Sequence, residues 1–346
     1  MPSTFVQLQA SEEQDLRHFL LTGLAADPGY TPFRPEVLRW KYFADHPEWN
    51  GSRSYAIRKD GKIVAHGGVW PVSLVTPDAE IKAIHLIDWA SNRSAVGSGV
   101  QLLRRVAQLG DVLLTIGGSA DTRAILPKLG YTQRGELHRY VRVIRPWLQF
   151  STTPRKNWTS AFKLIRNSTL VLRPLPPLSQ NCQVSQLSSF SGLLDSRAIG
   201  QGSHSAVSRR TAAGINYLMS CPAGRFSGFV ANCERWRGYF VLAQIGRQAR
   251  IIDMGTDATD SDSWRALCLL AARTAAENPE ICEIVAASSV RETEDTWSQL
   301  GFIRGRTEPI FSYDPRQLLS TRTPLSLSMA DGDLCFLSNP RTPYIG

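Results

Sequence analysis

The chain predicts an α/β protein of layered α+β type: two similar units in tandem, each a mixed central sheet flanked by helices. Three observations carry this. Residues 84–131 run as strand, glycine-containing turn, helix, strand and helix. Residues 55–65 alternate around Asp60-Gly61 as a hairpin does. The same order of elements then returns in the second half, where Leu300-Gly301-Phe302 closes a run as Leu129-Gly130-Tyr131 closes the first.

In chain order, Phe5-Val6-Gln7-Leu8 suits a first strand. Ser11-Glu12-Glu13 is a helix-start signal ahead of Leu16, Phe19 and Leu20. A second helix is expected after Arg34-Pro35, with Leu38, Tyr42 and Phe43 as its apolar surface and Pro47 as its stop. Asp60-Gly61 suits a type I′ turn. The central strand Ile84-His85-Leu86-Ile87-Asp88-Trp89 leads into the turn Ser94-Ala95-Val96-Gly97-Ser98-Gly99. A helix follows, with Leu102, Leu103, Val106 and Leu109 on one face. Residues 112–116 form a short apolar strand, Gly117-Gly118-Ser119 a turn, and another helix begins near Asp121.

At 346 residues, 42% of them apolar, the chain has the length of about two domains and enough apolar mass for ordinary cores. No run of eighteen apolar residues exists, and the first residues lack a basic-then-apolar leader pattern. The expectation is a cytoplasmic protein that does not span a membrane. Six cysteines lie in the second half without a C-x-x-C pair, so buried thiols are expected rather than disulfides or structural zinc. The expected divisions are 1–145, a basic proline-containing linker at 146–180, a second unit at 181–314 and an extension at 315–346. The linker holds five Lys or Arg and no Asp or Glu, against a net charge of +9 for the whole chain. Its apolar residues at 158, 162, 165 and 172 suggest a basic amphipathic helix. Such a helix can lie on an anionic surface. The weightier expectation is that it packs between the units with its basic side solvated. With the charge so localised and no basic–aromatic repeat, specific nucleic-acid binding is not expected.

In the second half, Cys182-Gln183-Val184-Ser185-Gln186-Leu187 suits a strand, two helical stretches end at Cys221-Pro222, and residues 226–245 read as paired strands. Residues 249–254, with Asp253, parallel the central strand and its Asp88. Trp264, Leu267, Cys268, Ala271 and Ala275 mark a helix, and residues 281–286 a strand. In place of the glycine turn stands Thr256-Asp257-Ala258-Thr259-Asp260-Ser261-Asp262. Aspartates satisfy a helix N-terminus and would repel a pyrophosphate there. The extension can return as an added strand, with Asp331 and Asp333 given no role beyond a turn.

Gly97 and Gly99 at a helix mouth have the opposite character. First-turn N–H groups lack partners within the helix, the dipole favours an anion, and glycine lets a phosphate approach closely. A tight turn that binds nothing is the competing reading. The order of elements, the Gly97-x-Gly99 turn and the closing Leu129-Gly130-Tyr131 resemble the GNAT acyltransferase superfamily, whose acyl-CoA motif is Gln/Arg-x-x-Gly-x-Gly/Ala between a strand and a helix. The tandem arrangement also resembles the Fem-type aminoacyltransferases. Two positions depart from the GNAT pattern. Ser94 replaces Gln/Arg, with Arg93 one place early, and Leu126 stands where many members carry a general-acid tyrosine.

The resemblance implies an N-acyltransferase that takes acetyl-CoA or another acyl-CoA as co-substrate, with no metal. Its acceptor would be a small-molecule amine or an amino-sugar precursor of the cell envelope. The donor would be held by Trp89 and Ala90 along the pantetheine arm and by Ser94, Ala95, Val96, Gly97, Ser98, Gly99 and Val100 at the pyrophosphate. Acyl transfer needs a proton acceptor for the amine and stabilisation of the departing thiolate. Asp88, at the end of the central strand, is the candidate base or water-positioning residue, against a reading as a buried aspartate bonded to nearby main-chain N–H groups. Ser119 is a candidate thiol partner, against a reading as a helix cap. His85 is a weaker candidate, against a reading as a satisfied core histidine. The alternatives are a degenerate binding or scaffold protein and a Fem-like aminoacyl transfer. The sequence has no phosphate loop, no Gly-x-Ser-x-Gly elbow and no His-Glu-x-x-His pair.

Overall fold

Among the described residues, twelve strands lie side by side in one continuous mixed sheet, and the way the two halves share it sets the geometry of everything else. The computed structural model describes residues 3–154, 156, 158–178, 180–191, 206–290, 292–320 and 324–345. The strands are β1 (Thr4–Gln7), β2 (Ser54–Lys59), β3 (Lys62–Val75), β4 (Glu80–Ser91), β5 (Val112–Ile116), β6 (Thr132–Val143), β7 (Cys182–Leu187), β8 (Ala206–Ser208), β9 (Arg225–Cys233), β10 (Arg237–Ile245), β11 (Gln248–Thr256), β12 (Glu283–Ser288), β13 (Ile303–Tyr313) and β14 (Leu325–Ser326). The helices are α1 (Glu13–Gly23), α2 (Pro35–Leu38), α3 (Ser98–Val106), α4 (Ala120–Ile125), α5 (Pro146–Thr152), α6 (Trp158–Val171), α7 (Ala212–Met219), α8 (Ser261–Glu277) and α9 (Glu292–Gln299). The first of the two helical stretches expected between Leu187 and Cys221 falls largely on 192–205, outside the described residues; the second is α7.

The sheet order is β1-β2-β3-β4-β5-β13-β6-β12-β11-β10-β9-β7, with β8 joined to β3 and β14. Each half lends its last strand to the other: β13 pairs with β5, and β6 pairs with β12. The lent strands also pair with each other. The β2–β3 hairpin turns at Asp60 and Gly61, both at positive φ as a type I′ turn requires.

The extension is stitched across this sheet rather than added at its edge. It adds β14, only two residues long and parallel to β8, and its carbonyls accept side-chain donors from both halves. Trp70 Nε1 donates to Ala330 O, Arg250 Nη2 to Leu337 O and Arg139 Nη1 to Ile345 O. Met329, Cys335 and Phe336 are buried in a core that also holds Trp40, Trp70 and Ile252.

Two expectations are overturned. Cys182 and Cys233 stand opposite each other across β7 and β9 and are joined in a disulfide, while the other four cysteines are buried thiols. Residues so far apart in sequence show no pairing signal until the strand register sets them face to face. The apolar stripe of α6 does not pack between the halves either: Trp158, Phe162, Ile165 and Leu172 are exposed. Among the described residues no helix is long and apolar enough to cross a membrane.

Candidate active site

β4 is irregular where its function was expected. Its pairing with β3 steps from Gly68↔Ile87 to His66↔Ala90, so Asp88 and Trp89 together face Gly67. This is a β-bulge, a device that re-aims side chains. Asp88 takes φ 49°, a left-handed conformation that Asp tolerates better than most residues. β4 and β5 have parted before this point. Their parallel pairing covers Ala83–His85 and Val112–Leu114, yet both strands run further. His85 fills the opening. Its Nε2 accepts from Ile116 N–H (3.2 Å) and its Nδ1 donates to Asp331 O (2.9 Å), which defines a neutral ring. Burial lowers its pKa to about 4.

Neighbouring residues of a strand face opposite ways, and the bulge has one partner set on each side. On one side Trp89 Nε1 donates to Gly99 O at the start of α3 (3.3 Å). Gly97 is the N-cap of α3 at φ 84°. Among the described residues no side chain caps this helix, and its first turn holds no acid. A Cβ built on Gly97 would meet nothing within 4 Å, so the helix mouth is open. Gly99 is different. Its Cβ would lie 3.0 Å from Ser91 Oγ, so this glycine serves the close packing of helix on strand. Ser94 N–H and Oγ both bind Asn92 Oδ1, and Ser98 Oγ donates to Ala95 O, which fixes the turn. Val96 is 95% exposed, Val100 is half-buried and Ala90 is buried.

On the other side the Asp88 carboxylate is held by Lys41 Nζ and by the Tyr42 hydroxyl (2.5 Å). Lys41 and Tyr42 lie in the π-helical turn Arg39–Phe43, and neither is exposed. The Lys41 ammonium also donates to Pro32 O (3.2 Å) and lies over the rings of Phe33, Tyr42 and Phe336. These contacts offset the cost of burying its charge. Gly68 makes the arrangement fit, since a Cβ there would come 2.4 Å from the Tyr42 ring. His66 closes the cluster. Its Nδ1 donates to Asp88 O (3.2 Å), its Nε2 binds Ser54 Oγ (2.9 Å), and burial lowers its pKa to about 4. Asp88 is therefore bonded through side chains of the turn before β2, not chiefly through main-chain N–H groups.

The extension brings a second carboxyl here. Asp333 is pushed up to about 7, first by burial and then by the negative charge of Asp88, with Lys41 opposing. Tyr30, raised by burial and by Asp333, lies in the same environment. Asp331, two residues earlier, is buried and takes Arg210 Nη1 and Nη2 (2.7 and 2.9 Å), Ser208 Oγ (2.5 Å) and Ser328 N–H (2.7 Å). Asp331 and Asp333 thus do more than make a turn. Sequence reasoning missed Lys41, Tyr42 and Asp333. The one legible signal was a lone lysine inside the aromatic run Trp40-Lys41-Tyr42-Phe43.

Ser119 is exposed and accepts from Thr122 N–H (3.1 Å) as the N-cap of α4. Leu126 is buried with Leu103, Leu113 and Tyr131. Between the halves, a shallow cleft is lined in part by Glu48, Trp70, Ser73, Arg210, Thr211 and Asp331.

No family model matches the chain, and no curated protein sequence matches it. Solved structures do. A tandem GNAT protein from the clavulanic acid biosynthesis pathway is 12% identical at TM-score 0.54, over 90% of this chain and 98% of its own. The GCN5-related N-acetyltransferase from Anabaena variabilis is 10% identical at TM-score 0.54, over 90% and 73%. The N-myristoyltransferase of Saccharomyces cerevisiae, with bound myristoyl-CoA and inhibitors, is 13% identical at TM-score 0.59, over 98% and 87%. At such identities the likeness is one of fold: the chain has the GNAT fold, in an arrangement shared with a tandem GNAT protein.

Proposed function

We propose that this protein is an acyl-CoA-dependent N-acyltransferase, with the donor at the mouth of α3 and the amine of a small molecule as acceptor. Acetyl-CoA is the first donor to try, and an amino-sugar precursor is one acceptor class. One observation carries the reading: the N-terminus of α3 is open, uncapped among the described residues and free of acids, beside a bulged strand that parts from its neighbour. A pyrophosphate there would take up first-turn N–H groups.

The reaction forms a C–N bond at the acyl carbon and breaks its C–S bond. The amine nitrogen must first lose a proton, and a base with a pKa near neutrality suits that task. Asp333, at about 7, meets that requirement. Asp88, fixed by Lys41 and Tyr42, raises its basicity by charge. The proton taken by Asp333 can pass through solvent to the departing thiolate, which Leu126 cannot protonate. Leu126 favours a second reading, a protein that binds acyl-CoA without turnover.

Calorimetric titration with acetyl-CoA and CoA tests the donor site. Val96→Glu is the variant of choice, because Val96 is exposed at the helix mouth and its replacement strains no backbone, as a change at Gly97 would. The wild type should bind saturably, and the variant about tenfold or more weakly, a loss of about 1.4 kcal/mol. A folded wild type that binds neither ligand ends the donor-site reading. Binding without turnover of any screened amine selects the second one.

A further inference from the structure

We propose that the outward face of α6, together with Trp147 of α5, seats this protein on an anionic lipid surface. Trp158, Phe162, Ile165 and Leu172 are 73%, 51%, 64% and 80% exposed, and Trp147 is 70% exposed. At about 100° per residue, positions 158, 162 and 165 fall within roughly 60° of one another, and Leu172 follows just past the helix end. They form one stripe. Asn167, on the opposite side, is 2% exposed, and its Nδ2 donates to Gln149 Oε1 (2.9 Å). The helix is therefore turned with an amide toward the protein and its largest apolar residues toward solvent, the reverse of a surface helix that serves a core.

Charge selects the occupant. Segment 146–180 contains five Lys or Arg and no Asp or Glu. Lys156, Lys163, Arg166 and Arg173 are exposed; Arg155 lies outside the described residues. A second copy docked on this face would bring two basic sets together without an acid between them. Nucleic acid would supply the anions but would leave Ile165 and Leu172 without an apolar partner. A bilayer rich in anionic headgroups meets both demands: aliphatic and aromatic side chains enter the headgroup–acyl boundary, tryptophans lie at headgroup level, and the basic side chains remain among the phosphates.

The test is co-sedimentation of the full chain with vesicles of phosphatidylcholine alone and of phosphatidylcholine with one third phosphatidylglycerol. The variants are Phe162→Ser/Ile165→Ser and Lys163→Glu, all at exposed positions, with thermal melts to confirm folding. The wild type should partition onto the anionic vesicles at least tenfold better than onto neutral ones, and raised salt should weaken it. The double variant should lose at least tenfold, and Lys163→Glu should lose binding to anionic vesicles selectively. Absence of wild-type binding would overturn the proposal, as would equal binding by the folded double variant. So would concentration-dependent self-association that the double variant abolishes without any vesicle binding.

Discussion

The two halves build the same irregular strand and finish it differently. In the first, β4 bulges at Asp88, which holds Lys41 and Tyr42. In the second, the pairing of β10 with β11 slips between Val241 and Leu242, and the adjacent Asp253 holds Arg210 (2.9 Å) and Tyr239 (2.8 Å). Each bulge thus carries an aspartate, a cation and a tyrosine. The differences lie in what surrounds them. Arg210 is shared between Asp253 and Asp331 and tied to Ser208 and Ser328, so its donors are spent within the protein. The charge of Asp88 instead acts on Asp333, helping to push that carboxyl up to about 7. The helix mouths differ likewise. Asp260 caps α8 by accepting from Ser263 N–H (2.8 Å), and Asp262 occupies its first turn, whereas α3 begins at an open glycine. One helix mouth is closed by its own side chains and the other is left open.

The sharpest way to break this comparison is to separate the copies. A fragment of residues 1–145 keeps β6 but lacks β13 and the extension, so the edge of β5 and the surface around Trp70 lose their cover. It should show no cooperative thermal transition, and a cooperative melt would mean that the strand exchange is dispensable. The clusters come next. Arg210→Met leaves Asp253 and Asp331 buried without their cation and should destabilise by about 3–5 kcal/mol in urea denaturation. Lys41→Met should cost a similar amount and also abolish transfer. Arg210→Met that retains wild-type stability would undo the structural reading of the second cluster.

Asp333→Asn sharpens the functional side of the comparison. A carboxyl at about 7 accepts a proton only when ionised, so transfer should rise with pH to a plateau above about 7. The variant should lose on the order of 10²–10⁴-fold in kcat and that limb of the profile with it. An unchanged profile would move the base elsewhere. The smallest effects belong to the caps. Asp260→Ala and Ser119→Ala should each cost about 1 kcal/mol of stability. Neither should alter acyl-CoA affinity. Ser119→Ala should leave transfer intact if its hydroxyl serves only the cap, and a hundredfold loss of kcat at unchanged stability would give it a chemical role.

Much of this was legible where the cause is local. The hairpin at Asp60-Gly61, the strand into the Gly97 turn, the cap at Ser119 and the acidic start of α8 follow from backbone preferences within a few residues. His85 proved to be a satisfied core histidine. What failed was non-local. The sense of the α6 stripe depends on which side meets the protein, and a helical wheel has no origin until another element supplies one. The Cys182–Cys233 pair depends on strand register.

The sequence by itself determined the α/β alternation, the duplication, and the contrast between a glycine mouth and an aspartate mouth. These rest on periodicity, turn chemistry and charge, all set by neighbours in the chain. Tertiary structure alone decided that the halves exchange their last strands, that Lys41 is buried against Asp88, and that Asp333 arrives beside them from the far end of the chain. The reason is physical. The ionisation of a carboxyl and the cost of a buried ammonium are fixed by the charges and the loss of water around them, and the fold alone brings those groups together.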